Sequence, residues 1–218
     1  MIIGITGGMG CGKSTAARML SERGFARLDA DQLVRERVLG EAEVLAAIRE
    51  KFGDAVFTSS REGAGSAASS GAPPSGGTEN GAARRPLDRA KLAARVFARE
   101  ADRLWLEALV HPRLFLLWRE ALLAAPRAQR WVIEVPLLFE KGLENWFDLT
   151  VCVASSAAQQ IARLEQRGVP ATLAEQRIFK QLPLATKLAR ADLVLWNDGG
   201  LSSLEKQIGQ MVAPLRCS

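Results

Sequence analysis

Eight residues, Gly7-Gly8-Met9-Gly10-Cys11-Gly12-Lys13-Ser14, constrain this chain more than any others. They fit the pattern G-x-x-x-x-G-K-[ST], and their flanks have the periodicities that pattern needs. Met1 to Thr6 is a short apolar run that reads as a buried strand. Lys13 to Arg23 carries Ala16, Ala17, Met19 and Leu20 at helical spacing, with Gly24 as its stop. A strand, a glycine-rich turn and a helix start aim successive backbone N–H groups at one point. Close approach of phosphate oxygens to that backbone excludes side chains, hence the glycines. The helix start adds its positive dipole end. On this reading Gly8, Gly10, Cys11, Gly12, Lys13, Ser14 and Thr15 form a nucleotide cradle. Lys13 reaches the β- and γ-phosphates of ATP, the Ser14 hydroxyl holds Mg²⁺, and Thr15 adds an α-phosphate contact. Cys11 is either a redox-sensitive thiol or a small residue the turn tolerates.

The rest of the chain repeats the alternation. Phe25 to Leu28 reads as a second strand, ending at Asp29-Ala30-Asp31, and a helix follows through Arg35 and Val38. Glu41 to Phe52 is helical and closes at Gly53. Leu87 to about Ala125 reads as two or three helical pieces interrupted at Pro112. Trp131 to Val135, Leu149 to Ala154 and Asp192 to Trp196 read as strands. Ala157 to Arg167, Leu173 to Ala191 with a break at Pro183, and Leu201 to Val212 read as helices. Strands alternating with helices predict an α/β fold with a parallel sheet wrapped by helices. One stretch departs from this. Thr58 to Pro86 holds no Val, Ile, Leu, Met, Phe or Trp. It cannot bury enough apolar surface to offset its ordering entropy and reads as a flexible insertion whose ends lie close together.

Composition removes several classes. Of 218 residues 48% are hydrophobic and 24% charged, as in an ordinary globular enzyme with one main core. No apolar run approaches the ~20 residues that span a bilayer. The N-terminal run lacks a basic n-region and a cleavage site, so no secretory signal is expected. Cys11, Cys152 and Cys217 are scattered and odd in number, which suits a reducing compartment and predicts a cytoplasmic protein. A net charge of +5 without aromatic-basic interleaving gives no nucleic-acid surface. His111 is the only histidine, so a histidine-clustered zinc site is ruled out. A GTP-dependent switch is disfavoured, because no D-x-x-G occurs and Asn145-Trp146-Phe147-Asp148 lacks the lysine of N-K-x-D.

A kinase needs a carboxylate beside the γ-phosphate and cations to neutralise the group in transit. Asp31 stands just past the second strand, where ligands bind in open α/β sheets, and Arg35 follows at i+4. The competing reading is that Asp29 or Asp31 caps the helix. Arg163 and Arg167 lie four apart on one helix face with Gln160, either as phosphate ligands or as a solvated basic face. Glu134 ends a buried strand and either meets Mg²⁺ through water or pairs with an arginine.

With these residues in view the chain resembles the dephospho-coenzyme A kinases. The resemblance runs through Ile5-Thr6-Gly7-Gly8, Leu28-Asp29-Ala30-Asp31 with Arg35, Leu87-Asp88-Arg89, His111-Pro112 and Glu134-Val135-Pro136-Leu137-Leu138-Phe139-Glu140. It continues through Gln160, Arg163, Arg167, Arg177, Gln181, Lys187, Ala191-Asp192 and Asn197. It implies a P-loop kinase fold with a five-stranded parallel sheet, a helical acceptor-binding lobe over 87–125 and a lid over 163–181. It implies ATP-dependent phosphorylation of the ribose 3′-hydroxyl of dephospho-CoA. Asp31 would be the base or hydroxyl-orienting carboxylate, and Arg163 and Arg167 the lid arginines. Thr6, Arg35, His111, Pro136, Leu137 and Glu140 would line the acceptor site, and Asn197 to Gly199 would lie near the adenine. Nucleoside monophosphates are the alternative acceptors, and a nucleotide-binding protein that has lost transfer is the alternative class. The insertion over 58–86 replaces a short turn in the family.

Overall fold

The computed structural model describes residues 1–58 and 85–216. Two compact units divide the chain, one of Met1–Leu33 with Glu120–Ser218, the other of Val34–Arg119.

The first unit is built on a five-stranded, wholly parallel sheet. Strand β1 (Ile2–Gly7) lies at its centre between β3 (Arg130–Glu134) and β4 (Leu149–Ala154). The strands β2 (Phe25–Asp29) and β5 (Leu193–Trp196) form the edges, giving the order β2-β3-β1-β4-β5. Ile3 pairs with Val132 on one side and Leu149 on the other. Helices on both faces bury the inner strands twice over, which is why they read as unbroken apolar runs. Ile3, Ile5, Val132, Val151 and Val153 are fully buried with Ala16, Ala17 and Leu20 of α1 (Lys13–Ser21) and with Leu204 and Ile208 of α9 (Leu201–Val212). Each of the buried Val, Leu and Ile side chains stabilises the fold by roughly 1.5–3 kcal/mol.

Parallel pairing has one consequence for function: every strand ends at the same edge. There β1 feeds the glycine turn, β2 feeds α2 (Ala30–Glu36), β3 leads into Pro136–Glu140, β4 into Ser155, and β5 into Asn197. Beyond β4 come α6 (Ala157–Glu165) and α7 (Ala171–Phe179), packed together, then α8 (Leu184–Arg190). The expected break at Pro183 is present, immediately before α8.

In the second unit, α3 (Ala42–Phe52) shares one core with α4 (Arg89–Ala98) and α5 (Glu100–Ala124). Val44 and Ile48 are buried with Leu92, Val96 and Val110. The helices read over 87–125 thus have their apolar face covered by one from earlier in the chain. The Asp88 carboxylate caps α4 by accepting from the Ala90 and Lys91 amides at 3.1 and 3.0 Å. Pro112 does not interrupt the helix, contrary to expectation. The break falls at Arg99, whose backbone is extended (φ −137°, ψ 121°), and α5 runs straight through Pro112. Proline removes a single helical N–H, while Val110, Leu114 and Trp118 keep a buried face at i, i+4 and i+8 across it. The insertion's ends meet as expected: Phe57 and Leu87 bridge antiparallel, and Thr58 N donates to Pro86 O at 3.0 Å. The interior of the insertion and Cys217 lie outside the described residues. Among those residues, no helix is long and apolar enough to cross a membrane.

Candidate active site

The turn between β1 and α1 holds its shape through backbone torsions that L-residues rarely adopt. Gly10 (φ 79°) and Gly12 (φ 95°) are both left-handed. A β-carbon on Gly10 would lie 2.7 Å from Gln160 O, and one on Gly12 would lie 2.3 Å from Asn197 Nδ2. The glycines therefore admit a support beneath the loop as well as phosphates above it. That support is polar and mostly buried. Asn197 Nδ2 donates to Cys11 O at 2.9 Å, and Ser155 Oγ donates to Asn197 O at 3.0 Å. Gln160 Nε2 donates to Ser155 O at 3.0 Å. Arg163 joins three parts at once, donating to Gly10 O (3.3 Å), Ser155 Oγ (2.9 Å) and Asn197 O (2.5 Å).

Above the loop lies a small cleft of about 60 Å³, lined by Gly10, Gly12, Lys13, Ser14, Thr15 and Arg167. Ser14 and Arg167 are exposed into solvent there. Lys13 Nζ is held against the loop by Gly7 O (3.2 Å) and Gly8 O (2.9 Å). Burial holds its pKa below the ordinary lysine range; Lys187 also lowers it, while Cys11, Asp31 and Glu134 oppose the shift. The two arginines of α6 and its C-terminal turn thus part company: Arg163 braces the loop, and Arg167 faces the cleft. The Cys11 side chain points into the core instead, with its thiol pKa raised by burial. Burial likewise pushes Cys152 up to about 11. Both thiols stay protonated near neutrality, which disfavours redox sensing at Cys11.

The capping question resolves onto Asp29, whose Oδ1 accepts from Gln32 N at 2.9 Å. Asp31 is exposed in the first turn of α2 and acts electrostatically on Lys13. Glu134 is paired, its Oε1 lying 2.6 Å from Arg27 Nε. Thr6 is fully buried, and its hydroxyl donates to Pro136 O at 3.3 Å. Pro136, Leu137 and Glu140 follow β3 and are half-buried. Glu140 Oε1 lies 2.7 Å from Nζ of the fully buried Lys187, and its Oε2 has no hydrogen-bond partner among the described residues. Breaking such a buried pair costs about 3–5 kcal/mol. Arg35 and His111 belong to the unit Val34–Arg119. Arg35 is exposed, and the half-buried His111 ring lies 6.2 Å from that of Phe115. Three groups of the first unit escaped the reading of the residues. Ser155 is the first of two serines after a strand, marked only by that position. Gln181 and Lys187 entered through resemblance alone, without a role.

No cluster of three acidic, cysteine or histidine side chains suited to a metal occurs among the described residues. A divalent ion at Ser14 would therefore be shared with phosphate oxygens, which is how Mg²⁺ is commonly held.

The parallel sheet, the left-handed glycines of the cradle and the lysine above it define a P-loop kinase. A crystal structure of TT1252 from Thermus thermophilus superposes with a TM-score of 0.76 at 33% identity, covering 99% of this chain and 97% of that one. The dephospho-CoA kinase of Campylobacter jejuni shares the fold, with a TM-score of 0.63 at 19% identity over 98% of this chain and 96% of that one. The dephospho-CoA kinase family model matches residues 1–65 and 80–203. A dephospho-CoA kinase of Thermosynechococcus vestitus is 37% identical over 95% of this chain and 91% of its own length. The chain belongs to the dephospho-CoA kinase family.

Proposed function

We propose that this protein transfers the γ-phosphoryl group of ATP to the ribose 3′-hydroxyl of dephospho-CoA, giving CoA and ADP. The observation that carries the chemistry is the placement of the Lys13 cradle and the exposed carboxylate of Asp31 at the same edge of the sheet, past the ends of β1 and β2 with β3 between them, close enough for Asp31 to act electrostatically on Lys13. The family membership supports the acceptor.

Lys13 binds the β- and γ-phosphates, and the backbone amides of Gly8 and of Gly10 to Thr15 hold the chain of phosphates. The Ser14 hydroxyl would hold Mg²⁺, which would supply positive charge to the phosphate oxygens. Arg167 meets the group in transit, while Arg163 and Asn197 keep the loop in shape. The transition state is loose, so alignment and charge matter more than proton removal. Asp31 acts chiefly by orienting the 3′-hydroxyl for in-line attack and accepts its proton as the bond forms. Thr6, Arg35, His111, Pro136, Leu137 and Glu140 take the acceptor side. The helices over 87–125 serve acceptor binding, and residues 163–181 act as a lid.

The test is ADP release with dephospho-CoA, with nucleoside monophosphates and with no acceptor. Release that depends on dephospho-CoA, with the phosphate recovered on the 3′ position, is expected. Equal rates with a nucleoside monophosphate, or no dependence on any acceptor, would overturn the reading.

A further inference from the structure

Seven residues, Gln181 to Lys187, reach both the phosphate loop and the segment after β3. Gln181 lies on the connection between α7 and α8, and its Oε1 accepts from the Met9 amide in the loop at 3.0 Å. The next residue turns the other way: Leu182 N donates to Glu140 Oε1 at 3.2 Å. One helical turn into α8, Lys187 Nζ lies 2.7 Å from that same oxygen and donates to Pro136 O at 3.3 Å. Pro136 O also accepts from the Thr6 hydroxyl, at the end of the strand that feeds the loop. The Lys187 side chain is fully buried. A buried ion pair is a poor device for stability, since a well-packed apolar pair serves as well. It is a good device for fixing one spacing, because its geometry is directional and its partners have no alternative.

In-line transfer is sensitive to such spacing, and a misplacement of about 1 Å costs about a hundredfold in rate. We propose that Gln181 and Lys187 are positioning residues for the transfer. The connection that carries them holds the phosphate loop, through Met9, and the Pro136–Glu140 segment, through Glu140 and Pro136, in one fixed placement. This rests on the reading that Pro136–Glu140 faces the acceptor. Loosening either arm leaves ATP bound but lets donor and acceptor drift, so that water competes for the phosphoryl group.

The experiment measures ADP formed and CoA formed in parallel, with KM for ATP and thermal stability, on the full chain. The unaltered protein should give one ADP per CoA; failure to make CoA at all would overturn the functional reading rather than this one. Gln181→Ala removes a half-exposed side chain and should fold normally. It should lower kcat about tenfold or more, keep KM for ATP within about twofold, and release ADP in excess of CoA. Lys187→Met strands the Glu140 carboxylate and should also lose stability. Adding Glu140→Gln restores a neutral pair and still accepts from Leu182 N. That double variant should regain stability while the excess of ADP persists. Native turnover with one ADP per CoA in Gln181→Ala, or recovery of both stability and coupling in the double variant, would overturn the proposal.

Discussion

Lys13 carries its charge against its surroundings. Burial is the main cause of its depressed pKa, with Lys187 adding to it. Unfolded, the same lysine holds its proton more tightly. The ligand-free protein therefore gains stability from this group as pH rises from the depressed value toward the ordinary lysine range. Phosphates above the loop reverse the sign, because their charge favours the protonated amine. The thermal stabilisation that ATP confers should shrink as pH climbs through that same window, below the range where a free lysine titrates. An ATP-induced shift that stays constant across the window would remove this account of the loop. Asp31 makes the complementary prediction. Asp31→Asn keeps the size of the side chain and removes its charge, so kcat should fall by about a hundredfold or more with KM for ATP within about twofold. Unchanged turnover would return Asp31 to the role of a first-turn carboxylate. Both roles were suggested by residue type and position. The capping role of Asp29 was not separable from them, because a cap depends on one hydrogen bond that spacing does not specify.

Single elements obey periodicity more faithfully than they obey punctuation. Strands β1, β3 and β4 lie where unbroken apolar runs placed them, since burial on both faces leaves no other pattern. Pro112 does not break α5, because the packing around a proline decides its effect as much as the residue itself. One missing N–H is a local cost, and the buried series Val110, Leu114 and Trp118 outweighs it. Replacing Pro112 by Ala should restore that bond at an exposed helical position. The expected gain in unfolding free energy is about 1–2 kcal/mol, read from denaturant titration, after allowing for the freer unfolded chain. A loss of stability would mean that the lobe's packing requires the proline ring at that position. Helix α6 shows the converse. Arg163 and Arg167 share one face by spacing, yet only Arg167 lines the cleft, because the carbonyls of Gly10 and Asn197 capture the other.

At the scale of the whole molecule, the segment between Phe57 and Leu87 is where the match to the family model is interrupted, between residues 65 and 80. Its ends are already joined by the Phe57–Leu87 bridge and the Thr58–Pro86 hydrogen bond, so closing them directly requires little rearrangement. Replacing residues 59–85 by a short glycine-serine turn should leave kcat and the KM for dephospho-CoA within about twofold. A large rise in the acceptor KM would give the insertion a part in binding. The phosphate cradle, the alternation of strand and helix, and the class of chemistry are legible in the linear chain, because glycine-permitted torsions and apolar periodicity are local properties. What Gln160, Ser155, Arg163, Gln181 and Lys187 do follows from the assembled fold. Beyond the local bonds of Gln160 and Arg163 to Ser155, their partners Met9, Gly10, Pro136 and Asn197 lie far along the chain, past the ends of other strands, and parallel crossovers bring those ends to one edge only when the sheet is assembled. The cradle was written in eight consecutive residues, and the frame that holds it in register was not.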